Sequence, residues 1–107
     1  MSYYLIQASY TGPAIAAMIK NPQDRAAAVR PMIEKAGGKL HGLWFTFGES
    51  DVVAIAEMPN NVSAAALSMA IGASGAMSSY RSTPLMTSGE AVEAMQKAGA
   101  VSYSAPK

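Results

Sequence analysis

The chain contains one histidine, His41, in a strand-like run that a short turn connects to a second run carrying Glu57. Pairing the two runs across Gly48-Glu49-Ser50, with Phe47 facing Asp51, sets His41 opposite Glu57 and Trp44 opposite Ala54. A carboxylate beside an imidazole fixes its tautomer and stabilises the imidazolium, which is a general-base arrangement, so His41 and Glu57 are the catalytic candidates. The plainer reading of the same two residues is a strand-end pair near solvent or at a subunit contact. On this register one face carries His41, Leu43, Phe45, Val53, Ile55 and Glu57. The other carries Leu40, Gly42, Trp44, Val52, Ala54 and Ala56.

Four further side chains are ligand-binding candidates. Trp44, opposite a small alanine and next to Gly42, leaves room for a ligand against its indole, although large-beside-small packing is also how ordinary cores interdigitate. Arg81, a lone cation in an uncharged stretch, can pair with an acidic ligand, with Glu57 across the sheet, or simply with solvent. Tyr4 and Tyr80, with Tyr10, fit an interior surface or an interface, where a tyrosine supplies area and one satisfied hydroxyl. One histidine and no cysteine exclude multi-histidine and thiolate metal sites, and no HExxH, Walker or Gly-x-Gly-x-x-Gly pattern occurs. Glu49 and Asp51 are explained by turn chemistry alone. The expectation is no metal and no cofactor.

Elements that would position these residues follow from local signals. Tyr3–Tyr10, rich in aromatic and β-branched residues, predicts a first strand, and Thr11-Gly12-Pro13 starts a short helix to Lys20. Asn21 caps and Pro22 opens a second helical segment to Ala36, with a kink or break at Pro31 and a stop at Gly37-Gly38. Lys39–Phe47 and Asp51–Met58 predict a hairpin, and alanine-rich Val62–Ser74 a helix ended by Gly75. Met77–Met86 reads as a fourth strand that Pro84 places at an edge or a bulge. Thr87-Ser88-Gly89-Glu90 has capping-box spacing and launches a last short helix, before an irregular tail.

Residues 1–107 thus form a single domain of α+β class, in the ferredoxin-like order β-α-β-β-α-β with an extra C-terminal helix. The strands do not alternate as a half-exposed sheet should. Tyr3-Tyr4-Leu5-Ile6, Leu43-Trp44-Phe45 and Val52–Ala56 are continuous apolar runs, and one layer of helices covers only one side of them. Half of the 107 residues are hydrophobic (50%), and 14% are charged, far below the roughly 25% usual for soluble domains. Both features predict that the chain partners itself, most simply as a dimeric α+β barrel with sheets face to face. Eight basic and seven acidic residues leave a net charge of +1, which predicts no nucleic-acid and no membrane partner. The N-terminus lacks a basic region followed by a long apolar one, so a cytoplasmic location is expected.

The run from Gly38 to Pro59, through Trp44-Phe45-Thr46-Phe47-Gly48-Glu49-Ser50-Asp51-Val52-Val53, resembles the signature of the GYD-domain family. Asn21-Pro22-Gln23-Asp24-Arg25, Asn61–Ala66 and Lys97-Ala98-Gly99 extend the likeness over nearly the whole chain. Gly48-Glu49-Ser50-Asp51 has serine where the family has tyrosine, which sets aside any role resting on that phenol. The resemblance implies a small bacterial protein with the dimeric α+β barrel fold and no established reaction. Relatives of this fold include cofactor-free oxygenases, haem-handling proteins and small-molecule sensors, so fold alone does not choose a function.

Three readings follow. The leading one is a homo-oligomeric protein that binds a small apolar or aromatic molecule. The second is a cofactor-independent enzyme that abstracts a proton from, or oxygenates, an aromatic or carbonyl substrate, with His41 as base and Glu57 as its orienter. The third is an oligomer whose role is structural and which has no pocket.

Overall fold

The computed structural model describes all of residues 1–107. Four strands, β1 (Ser2–Tyr10), β2 (Lys39–Phe45), β3 (Val52–Met58) and β4 (Met77–Leu85), form one antiparallel sheet in the order β2-β3-β1-β4. Helices α1 (Gly12–Lys20), α2 (Arg25–Lys35) and α3 (Asn61–Ala73) lie between strands, and α4 (Ser88–Ala98) follows the last one. This is the ferredoxin-like arrangement, with Pro84 on an edge strand as anticipated.

The helix ends follow local chemistry. Thr11 caps α1 by accepting the Ala14 N–H, and Asn60 caps α3 by accepting from Ser63. At the end of α2, Gly37 takes φ +86°, and the Gly38 and Gly37 N–H groups donate to the Ile33 and Glu34 carbonyls, a Schellman closure. Two expectations need correction here. Asn21 ends α1 rather than opening α2; Asp24 caps α2 instead, its carboxylate accepting from Ala26 and Ala27. Of the kink or break expected at Pro31, no break occurs: α2 is continuous from Arg25 to Lys35.

One face of the sheet is the core. Tyr4, Ile6, Ala54, Ala56 and Met58 from the strands meet Ile33, Ala64 and Leu67 from α2 and α3. Side-chain alternation turns Tyr3, Leu5, Gln7, Val53, Ile55 and Glu57 to the opposite face, which no helix covers. Only 12 of the 107 residues are buried, all of them hydrophobic, so much of the apolar half of the chain remains at the surface.

Helix α4 stands apart. It buries no residue, and it is held by its own cap: Thr87 Oγ1 accepts from the Glu90 N–H at 3.1 Å, while Glu90 Oε1 accepts from the Thr87 N–H at 2.9 Å. The Thr87 backbone bond, with the Thr87 side chain, holds the Glu90 carboxyl below the usual carboxylate range. The contribution is therefore complete above the ordinary carboxylate pKa and is lost as pH falls through the lowered value. Acidification through that range is expected to fray residues 88–98 while the sheet stays intact, visible as loss of helical carbon chemical shifts confined to α4.

Candidate functional site

The hairpin that carries His41 contains a β-bulge. Leu40 pairs with Ala56 and Gly42 with Ile55, so His41 is the extra residue between them. Beyond it every β2 residue shifts by one: Leu43 faces Ala54 and Trp44 faces Val53. This overturns the expected pairing of Trp44 with Ala54 and reverses the face of everything after His41. Leu43 joins the core side, while Trp44 lies with Val53 and Ile55 on the uncovered face. The connection is also longer than three residues, since β2 ends at Phe45 and β3 begins at Val52. Asp51 explains the difference: its N–H donates to the Ala8 carbonyl and its carboxylate accepts the Tyr10 N–H at 2.9 Å, tying the loop to β1.

The bulge still brings the two catalytic candidates together. His41 Nε2 donates to Glu57 Oε1 at 2.7 Å, the chain's one contact between a basic side chain and a carboxylate, with the Tyr3 ring 5.3 Å from the imidazole. An ionised carboxylate only accepts, so this bond assigns the neutral imidazole's proton to Nε2 and leaves the Nδ1 lone pair to receive a proton. Both side chains retain solvent access on the uncovered face, at 33% and 19%. Nearby, the Trp44 indole lies over Gly42, where a Cβ would come within 2.5 Å of the ring. The space imagined for a ligand beside Gly42 is filled by the indole itself.

The four ligand-binding candidates do not converge. Tyr4 is buried on the helix side, where its hydroxyl donates to Asn61 Oδ1 at 2.5 Å and ties β1 to the start of α3. Tyr80 also points to the helix side, opposite Ala8. Arg81 is on the uncovered face opposite Gln7, beside a polar hollow that includes Glu49 and Ser79. It makes no ion pair, and Glu57 is engaged by His41, so an Arg81–Glu57 bridge does not form. Trp44 and Arg81 stand on opposite edge strands. No group of three His, Asp or Glu side chains gathers anywhere.

Between α2, α3 and the sheet lies a cavity of about 280 Å³, with Ile6, Leu43, Leu67 and Ile71 among its walls. Fifteen of its seventeen lining residues are hydrophobic; Arg25 and Ser74 are the others. Of the tyrosines singled out in the sequence, Tyr80 and Tyr10 line it. Burial raises the Tyr80 phenol above its usual pKa, an effect the neighbouring Ser68 hydroxyl partly opposes. Arg25 escaped the sequence reading, although one signal was present: a cation in the first turn of a helix sits at the wrong end of the dipole.

A family model described as the GYD domain matches residues 4–95. No curated protein and no solved structure matches the chain. No helix is long and apolar enough to cross a membrane.

Proposed function

The chain belongs to the GYD domain family, and we propose that it is a homo-oligomeric protein that binds a small apolar molecule in the cavity between its helices and its sheet. The cavity carries this reading. The pocket is partly open to solvent, and an apolar occupant would take its hydrophobic walls out of water. Its size approaches the lower end of ligand sites, roughly 300 Å³, while its walls are almost wholly hydrophobic. The uncovered sheet face supports the oligomer. Leu5, Val53 and Ile55 occupy its two central strands with Trp44 beside them, a surface that a second sheet covers in a dimeric α+β barrel.

Native mass spectrometry tests both parts against the denatured chain mass. The expected spectrum shows an integral multiple of the chain, with additional non-covalent mass when protein purified without detergent is sprayed or when an apolar ligand is added. A bare monomer at micromolar concentration, unchanged by added ligand, sinks the reading; a bare oligomer that takes up nothing favours the structural role.

The 2.7 Å His41–Glu57 bond favours a second reading, a cofactor-independent enzyme with His41 as base. A substrate for it would lie on the uncovered sheet face, away from the cavity. Replacing His41 by alanine is expected to abolish proton abstraction from such a substrate while the subunit number stays unchanged; turnover that survives removes His41 from the chemistry.

A further inference from the structure

Helix α4 carries an apolar stripe with nothing packed against it. At helical spacing Ala91, Val92, Ala94, Met95 and Ala98 fall on one side, and Glu90, Glu93, Gln96 and Lys97 on the other. Val92 and Met95 are exposed, and the helix buries no residue. Its 11 residues fall short of the roughly 12–15 at which an isolated helix is still only marginal in water, and most helical stability comes from packing an apolar face. The helix therefore needs a surface that its own chain does not supply. The shape of the chain agrees: its radius of gyration is 17.2 Å and its longest dimension 57 Å, against a radius of about 13 Å for a compact chain of this length.

A receiving surface lies at the other end of the sheet. Between α1 and the loop after β2 runs an open cleft walled by Ile15, Met18, Ile19, Phe45 and Phe47. The Phe45 ring is stacked on Tyr10 at 6.0 Å, which fixes one wall, while Ile19 and Phe47 stand in solvent. Helix α4 does not reach this cleft in its own chain. It leaves the sheet beyond Leu85, opposite Tyr3, whereas the cleft opens at Tyr10, about 23 Å further along β1. Only Met86 and Thr87 join β4 to α4, Thr87 is held in the capping box, and the helix is about 16 Å long.

We propose that α4 is an exchanged arm, whose Val92 and Met95 face packs into the cleft between α1 and Phe47 of a second copy, which returns its own α4 to the first. A two-fold axis that sets the two sheets face to face with their strands antiparallel places the α4 end of each protomer beside the cleft end of the other. Both unpartnered surfaces are then covered in one step, by a helix laid in a groove through anchors at i and i+3. The proposal rests on the chain being a homo-oligomer and names the segment that completes the interface.

The chain has two phenylalanines, and both wall the cleft, so phenyl protons identify the contact. Protein labelled with carbon-13 at its methyl groups, mixed with unlabelled protein and refolded together, reports contacts between protomers as isotope-filtered nuclear Overhauser effects. The Val92 and Met95 methyls are expected to receive them from phenyl protons of the unlabelled chain. Met95→Glu is expected to raise the dissociation constant roughly tenfold or more, the range of a buried anchor, whereas Gln96→Glu, on the polar side, leaves it unchanged. Neither position is buried in the single chain, so the sheet amide signals of both variants should match those of the unaltered protein and show them folded. An oligomer in which Val92 and Met95 receive nothing from phenyl protons of the unlabelled chain, or which tolerates Met95→Glu, overturns the exchanged arm and leaves the oligomer reading standing. A monomer at micromolar concentration overturns both.

Discussion

Replacing Ile55 by arginine is expected to yield a folded monomer. Ile55 occupies a central strand of the uncovered face, paired with Leu5 on β1 and Gly42 on β2, and is turned away from the core cluster. In the isolated chain the arginine stem lies along the sheet and its head reaches water, so folding is unaffected. In a two-fold assembly each substitution occurs twice, and two guanidinium groups are forced into one apolar interface. Like charges so placed cost several kcal/mol, which is roughly a hundredfold or more in the dissociation constant. Native mass spectrometry reads the subunit number. The single tryptophan supplies an independent signal, because Trp44 lies on the same face and is 54% exposed in one chain. Its emission should shift to the red as the partner leaves. An oligomer that persists with unchanged emission places the subunit contact elsewhere, and the face-to-face sheet arrangement is then wrong.

Gly38→Ala is expected to cause the largest loss of stability of any glycine-to-alanine change in this chain. A Cβ at position 38 would fall 2.6 Å from Met58 Sδ and 3.1 Å from Ile33 Cγ2, and closer still to the Glu57 carbonyl oxygen. Ile33 and Met58 are the largest fully buried side chains, and the carbonyl belongs to a paired strand. Overpacking a core costs about 1–3 kcal/mol, and displaced backbone places this case at or above the upper end. For a domain of this size that lowers the melting temperature by on the order of 10–20 °C. Gly12→Ala is the control, since nothing lies within 4 Å of a Cβ there. Thermal unfolding of both variants at one protein concentration makes the comparison, because an oligomer's melting temperature depends on concentration. Equal melting temperatures would falsify the close approach of α2 to the β3 backbone. The clash also displaces Glu57, so the His41–Glu57 bond should be lost with it.

Much of the fold is legible in the chain because the signals are local. Thr11-Gly12-Pro13, the Thr87–Glu90 capping box and Gly37-Gly38 act within a few residues of themselves, and each marks a helix end where the sequence places it. Continuous apolar runs mark the strands, and Pro84 marks an edge. Asp24 shows the limit of this reasoning. Asn21 and Asp24 are both competent caps, and which one opens α2 depends on where the helix docks against the sheet.

The candidate site was half legible. The His41–Glu57 contact forms, but not through the expected register: Glu57 faces Lys39, His41 reaches it from the bulge, and the same bulge shifts Trp44 onto the opposite face. Strand periodicity carries no mark of a bulge, because one unpaired residue changes which face a side chain takes without changing its type.

Composition and order by themselves determined the element sequence, the helix boundaries set by caps and glycines, the absence of thiol chemistry and the family likeness. Only the tertiary structure decided that Tyr4, Trp44, Tyr80 and Arg81 lie apart, that α2 and α3 leave a cavity over the sheet, and that Arg25 Nε and Tyr80 Oη are shielded from solvent without partners. The physical reason is range. A cap or a turn is settled by atoms a few residues away along the chain, whereas a void and an orphaned donor are what remains after distant elements have packed, and no local pattern encodes a remainder.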